Sequence, residues 1–234
     1  MHSWIATGLP VHIVVYEDEE CEYRTAVRGT KIKVLLVECP EAERSVGRSR
    51  QACLDWAIAL GHQMHIQCDD DHIAPRNTED LLTTLRCHSQ IGVVSAWKRQ
   101  YGHFLGKMLA DPREILPNQT AMAGNLWALR HQFSFDTSMR LAEDCDLRMQ
   151  WGWHNGARPL MHKGVVATPI GGRYQPGGCQ TTGSGDANVV QAASVLNARY
   201  GEGTAKVSER PDGSLKFTLY SAKFWGRVDE RFGL

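Results

Sequence analysis

The chain has 234 residues, 42% hydrophobic and 22% charged, enough to bury a sizeable core in one large domain. Lys plus Arg and Asp plus Glu both number 26, so the formal charge of zero gives no global pull toward nucleic acid or anionic membrane and leaves only a local basic face open. No apolar run reaches the length of a membrane span, and the seven cysteines are scattered without a CxxC pair, as expected of a reducing, cytoplasmic setting.

In chain order, "PVHIVVY" (10–16) and "KIKVLLVE" (31–38) are rich in Val, Ile and Leu and read as buried strands, with room for a short helix between them. "GRSRQACLDWAIALG" (47–61) reads as a helix. Its residues Cys53, Trp56, Ala57 and Leu60 fall at i, i+3, i+4 and i+7, which predicts the buried face, and Gly61 supplies the stop. "QMHIQC" (63–68) is the next strand, with Asp69, Asp70 and Asp71 directly behind it. Asn77 and Asp80 are suited to cap a helix reaching Leu85 to His88, and "IGVVSA" (91–96) is again a strand. Segment 97–122 is less regular and interleaves aromatic with basic residues.

Further on, "GNLWALR" (124–130) is strand-like, "AEDCDLRMQWG" (142–152) reads as a short helix closed by Gly152, and "RPLMHKGVVATP" (158–169) is a strand. The glycine-rich "GGRYQPGGCQTTGSGD" (171–186) precedes a helix over 187–201 with Val189, Ala193, Leu196 and Tyr200 on one face. "RPDGS" marks a last hairpin between "AKVSE" and "LKFTLY". Strands alternating with helices predict an open, largely parallel α/β sheet, and the absence of a linker or repeat predicts one domain over 1–234.

Ligands of open α/β sheets bind beyond the carboxyl ends of strands, where Asp69, Asp70 and Asp71 stand. A D-x-D spacing there sends the first and third carboxylates to one side, where they can hold Mg²⁺ or Mn²⁺ or a ribose hydroxyl. The same triplet also suits a solvated acidic loop or a helix cap. Glu143 and Asp144, with Asp146 and Arg148, open a helix; they are favoured there by its dipole, or serve as a base for an acceptor hydroxyl. Arg48 and Arg50 flank a helix start, placed for phosphates or for solvent. The 171–186 loop suits a lid or a plain connection. His72, beside the aspartates, reads as a surface residue.

The order of these motifs is more specific than any one of them. "GRSRQACLDWAIALGHQMHIQCDDD" resembles the segment of GT-A glycosyltransferases that reads small-x-x-R-N-x-x-x-x-x-A, then a strand, then D-x-D. "GNLWALRHQFSFDTSMRLAEDCDLRMQWGWHNG" is similar to their acceptor-side segment, a G-N-x-x-x-x-R strand followed by an E-D-x-D-L-x-x-R helix. The resemblance spans residues 47–156 and implies a Rossmann-like nucleotide-sugar domain. It places Asp69 and Asp71 on a Mn²⁺ or Mg²⁺ ion, with Asp71 the direct ligand. Arg50, Asp69, Asp70, Glu38, Gly124 and Asn125 fall on the nucleotide-sugar side. Glu143 and Asp144 match the E-D pair whose aspartate is the usual base of inverting members, and Arg148 pairs within the acidic cluster. The chain departs from the pattern in its opening strand ("VYEDEE"), in Gln51 after the arginine, and in lacking a histidine at the distal metal position after "VVATP".

In overall pattern and size the chain looks like the TET-associated glycosyltransferases, encoded largely by bacteriophages, which implies a hydroxymethylated DNA acceptor and a host-cytoplasm setting. On that reading Gly177, Gly178 and Thr181 belong to a lid, and Lys98, Arg99 and Tyr101 of "WKRQYGHFLGK" contact phosphates and stack on a base. The plain reading of that segment is core aromatics with solvated basic neighbours. Other acceptors (a glycan, a protein, a small molecule) and an inactive binding module are the alternatives.

Overall fold

The computed structural model describes residues 2–69, 72–75, 77–98, 111, 113–117, 126–169 and 185–234. The chain opens with one helical turn, α1 (His2–Ile5), then β1 (His12–Tyr16), α2 (Glu20–Ala26) and β2 (Lys33–Val37). β1 and β2 pair in parallel, from His12 with Lys33 to Tyr16 with Val37, and α2 makes the crossover that parallel strands need. α3 (Val46–Ala59) leads to β3 (Met64–Cys68) and the two-residue β4 (His72–Ile73). There follow α4 (Asp80–Cys87), β5 (Val93–Lys98), β6 (Ile115–Pro117), β7 (Leu126–Arg130), α5 (Glu143–Asn155) and β8 (Leu160–Pro169). α6 (Gly185–Tyr200), the hairpin β9 (Ala205–Glu209) and β10 (Leu215–Leu219), and α7 (Ser221–Phe232) complete the order.

The main sheet has the order β3-β7-β5-β8-β4, with β6 also on β8. β7 is antiparallel to both β3 and β5, and β5 is parallel to β8, so β3, β5 and β8 all point one way. This is the open α/β sheet with flanking helices that the sequence predicts, mixed in direction: β3, β5 and β8 run one way and β4, β6 and β7 the other. β7 is central: Leu126, Trp127, Ala128 and Leu129 are at most 1% exposed, which is why its sequence is a continuous apolar run. The two faces follow the period of two. Val94, Ala96, Leu126 and Ala128 pack with Leu81 and Leu85 of α4. Val93, Trp127 and Leu129 pack with Leu54 of α3 and Leu147 of α5 on the opposite face. A third core, built from α5, α6 and α7, holds Met149, Leu196, Tyr200, Phe224 and Trp225.

Three local expectations are corrected and one helix is added. The buried face of α3 is Gly47, Arg50, Leu54 and Ala57, while Trp56 and Leu60 are 38% and 43% exposed. The helix is turned so that Leu54 enters the sheet core, and Trp56 faces His12 of β1 with ring centroids 6.3 Å apart. Asn77 does not cap α4; its amide donates to the Gly164 carbonyl at 2.9 Å and ties the helix start to β8. α5 does not end at Gly152 but runs to Asn155, with Gly156 closing it at φ +69°. Gly152 is instead the seat of Trp225, whose ring would lie 2.4 Å from an added Cβ. The terminal helix α7, which the pattern did not announce, buries Phe224, Trp225 and Val228 against α5 and α6. Among the described residues no helix is long and apolar enough to cross a membrane.

Candidate active site

β3 ends at the aspartate triplet, and its side chains alternate. Met64, Ile66 and Cys68 pack into the α4-side core. His65, Gln67 and Asp69 share the other face, toward α3, because residues two apart in a strand point the same way. A polar stripe on an inward strand face has to find partners: Arg50 of α3 meets Gln67 and Asp69, and His131 meets His65.

The start of α3 is locked to the chain just ahead of α5. Ser45 caps the helix, its Oγ accepting from the Arg48 amide at 3.0 Å and donating to the Thr137 carbonyl. Gly47 N–H donates to the Met139 carbonyl at 3.1 Å, and a Cβ on Gly47 would lie 2.0 Å from the Asp136 carbonyl oxygen. Only glycine allows this approach, which gives the small residue three positions before Arg50 a physical reason. Ahead of Glu143, Ala142 adopts left-handed backbone, φ +62°, uncommon for a residue with a side chain. That turn sets the direction in which Glu143 enters α5.

Arg50 is the junction that results. Its Nη2 pairs with Asp69 Oδ1, its Nε lies 3.7 Å from Glu143 Oε1, and its guanidinium sits over the Trp127 ring at 5.4 Å. With 9% of its surface exposed, this cation is tolerated only because it is paired. Burial pulls the Arg50 pKa down, but Asp69 and Glu143 outweigh it and hold the group above its ordinary value. Glu143, 6% exposed, moves the other way: burial pushes its pKa up, Asp144 adds to this, and Arg50 opposes it, leaving it at about 7. A carboxyl that titrates near neutrality can carry a proton in either direction at working pH.

Asp144, one residue on, has 27% of its side chain exposed and lies 3.6 Å from Arg148 Nη2, the pairing expected for that arginine. Asp146 is no part of the cleft. Fully buried, it accepts from Arg199 Nη1 at 2.5 Å, Tyr200 Oη at 2.8 Å and Gln150 Nε2 at 2.9 Å, so it bolts α5 to α6. Arg48 is turned to Glu43, at 3.0 Å, rather than toward Asp69. Glu38 follows β2 and is exposed on the separate β1–β2 unit. His72 is fully buried at the start of β4, not a surface residue. Trp97 lies within β5, half-buried.

Asp70, Asp71, Arg99, Tyr101, Gly124, Asn125, Gly177, Gly178 and Thr181 lie outside the described residues, as does the Lys98 side chain. Among the described residues no group of three His, Cys, Asp or Glu side chains gathers as a metal site. Asp69, 34% exposed at its side chain, engages Arg50 through one oxygen. Hard, oxygen-only donors of this kind suit Mn²⁺ or Mg²⁺. Sequence reasoning missed Gln67, His65, His131 and Trp127 around Arg50; the signal was present in the polar alternation His65-x-Gln67-x-Asp69.

No family model matches this chain, and no curated protein does. Among solved structures it is similar to glucosyl-3-phosphoglycerate synthase from Mycobacterium tuberculosis, in complex with Mn²⁺, UDP-glucose and phosphoglyceric acid. The TM-score is 0.51 at 14% identity, over 89% of this chain and 74% of that one. At 14% identity the likeness is one of fold. S. aureus TarS 1-349 also matches, with a TM-score of 0.49 at 14% identity over 71% of this chain. The chain spans about half of that protein, 53% of its length.

Proposed function

We propose that this chain is one metal-dependent GT-A glycosyltransferase domain that moves a sugar from a nucleotide-sugar, taken to be a UDP-sugar, to an acceptor hydroxyl. The observation that carries the reading is Arg50, which joins the carboxylate at the end of β3 to the carboxylate at the start of α5. The resemblance assigns these two carboxylates to the donor and acceptor sides of one reaction. A structural neighbour in complex with Mn²⁺ and UDP-glucose supports the choice of donor and cation.

Asp71 and the open side of Asp69 would hold Mn²⁺ or Mg²⁺. The ion, when bound, neutralises charge on the leaving diphosphate. Arg50, fixed by Asp69, Glu143 and Trp127, adds a second positive charge that needs no reorganisation as the bond to the sugar breaks. Asp144, the more open of the E-D pair, accepts the proton of the attacking hydroxyl in an inverting reaction, while Arg148 steadies it. Glu143 behind it sets the Arg50 orientation. A retaining course would leave Asp144 to position the acceptor.

For the acceptor we favour a 5-hydroxymethylpyrimidine in DNA, on the pattern resemblance to the phage group and on the basic and aromatic residues Lys98, Arg99 and Tyr101. A phage enzyme of the host cytoplasm follows from the same resemblance. The test incubates the protein with Mn²⁺ and a panel of nucleotide-sugars, with hydroxymethylcytosine DNA, unmodified DNA, glycans or no acceptor. Transfer to the modified DNA, lost with chelator or in Asp71→Ala and reduced at least roughly 100-fold in Asp144→Asn, is the expected result. Transfer to glycans alone overturns the acceptor. Activity indifferent to chelator removes the metal. Binding of a nucleotide-sugar with no turnover on any acceptor favours a binding module.

A further inference from the structure

Gln67 is 4% exposed, and its amide nitrogen lies 3.0 Å from the Arg50 carbonyl oxygen and 2.8 Å from His65 Nε2. His65 Nδ1 in turn lies 2.8 Å from His131 Nε2. Read as hydrogen bonds, these contacts are consistent with one placement of the hydrogens. A carbonyl oxygen only accepts, so Gln67 must turn its nitrogen, not its oxygen, toward Arg50. Its second amide hydrogen then meets His65 Nε2, which has to be a bare lone pair. A neutral imidazole with a bare Nε2 carries its hydrogen on Nδ1, so His65 donates to His131 Nε2. His131 therefore also carries its hydrogen on Nδ1. Burial, with His131 and His62 nearby, holds the His65 pKa down to about 3, so the ring stays neutral at working pH. Burial lowers His131 as well, while the backbone of His62 favours a proton on it.

The chain ends on the carbonyl of the residue whose side chain meets both Asp69 and Glu143. It also starts from His131, the residue just past β7, whose Trp127 underlies the Arg50 guanidinium. Three elements, β3, β7 and α3, are thus tied at one point by directional bonds rather than by apolar packing, which would tolerate sliding.

We propose that His131, His65 and Gln67 are positioning residues, a tautomer-locked relay that fixes the α3 turn bearing Arg50 relative to the end of β3. The proposal rests on the Arg50 role given above, yet its first test does not need activity. Long-range ¹H–¹⁵N spectra of the full chain at neutral pH should show His65 and His131 both neutral with hydrogens on Nδ1, the minor form of free histidine. An Nε2–H form or a doubly protonated ring at either position overturns the relay.

The second test reads Arg50. Gln67→Leu should shift the Arg50 Nε–Hε resonance and raise the KM for UDP-sugar roughly 10-fold, the scale typical of supporting hydrogen bonds around a site. His65→Gln, which keeps an acceptor for the Gln67 amide, should stay within about 3-fold of wild type where His65→Leu does not. Equal effects of His65→Gln and His65→Leu, or an Arg50 resonance and KM indifferent to Gln67→Leu, overturn the proposal. Should Gln67→Leu fail to fold, the His65 pair carries the test alone. The predicted tautomers and Arg50 shift in a protein without turnover would sink the glycosyltransferase reading and leave the relay standing.

Discussion

Glu143→Gln is expected to make the protein more stable at neutral and alkaline pH. Glu143 is 6% exposed, and its pKa is pushed from 4.5 to about 7 by burial and by Asp144, against the pull of Arg50. A carboxyl with a raised folded-state pKa makes the folded protein hold more protons than the unfolded chain between those two values, so stability falls as pH rises through that window. The contribution is fully present below pH 4.5 and lost above about 7; the gap between the two values corresponds to about 3 kcal/mol. Glutamine has nearly the same shape and never ionises. Arg50 keeps Asp69 as a partner after the substitution, so no cation is orphaned. The variant should match wild type near pH 4.5 and exceed it by up to about 3 kcal/mol at about pH 8. Urea denaturation across this range, followed by the fluorescence of the seven tryptophans, measures the difference. Parallel stability curves for the two proteins, or a wild type that gains stability through the window, would refute the burial argument.

Asp146→Ala should cost about 1–3 kcal/mol, because it leaves the buried Tyr200 hydroxyl without its carboxylate acceptor, while the part-exposed Arg199 keeps Asp136. Asp144→Asn, which keeps an acceptor beside the fully buried Arg148, should cost about 1 kcal/mol while removing transfer; paired thermal melts and activity assays separate the two neighbours. Gly47→Ala forces a Cβ to 2.0 Å from the Asp136 carbonyl oxygen and should cost about 1–3 kcal/mol together with most of the turnover. Gly61→Ala is its control: it meets no atom within 4 Å, so only its φ of +77° resists, for roughly 1 kcal/mol and no loss of KM or kcat.

The order of elements was legible because most strands are apolar runs bounded by turns, and β7 is a central strand with few polar residues to confuse its reading. Helix α3 was legible as a helix but not in its rotation. Cys53, Trp56, Ala57 and Leu60 make a regular stripe, but the stripe that is buried contains an arginine, and hydrophobic periodicity has no way to rank Arg50 above Trp56. Its burial comes from Asp69 and Glu143, 19 and 93 residues away in the sequence. Helix α7 was missed although Phe224, Trp225 and Val228 fall on one side of it, because Gly226 and five charged residues interrupt the apolar pattern. Within the site, the partners Arg50, Asp69 and Glu143 were named from motif order. The residues that hold them were not, since Gln67 and His65 read as an ordinary strand and Gly47 as an ordinary helix start.

Several features that a stability argument would remove are gathered at one place. A buried arginine, a glutamate kept half-protonated near neutrality, a left-handed alanine and a polar stripe on an inward strand face all lie within the first turns of α3 and α5 and the end of β3. Each costs free energy in the resting protein, whereas the α4-side core of Leu81, Leu85, Val94 and Ala128 has none of them. Costs spread at random would indicate loose packing. Costs gathered where Arg50 meets Asp69 and Glu143 suit, on the proposed function, a charge set that faces a charge not yet bound. On the proposed function, the diphosphate of a nucleotide-sugar would bring its negative charge to Arg50, and its cation would be held by Asp69 and Asp71. On this reasoning Glu143→Gln and Gln67→Leu should separate. The first stabilises the empty protein by removing a buried charge, and the second loosens Arg50 without relieving any.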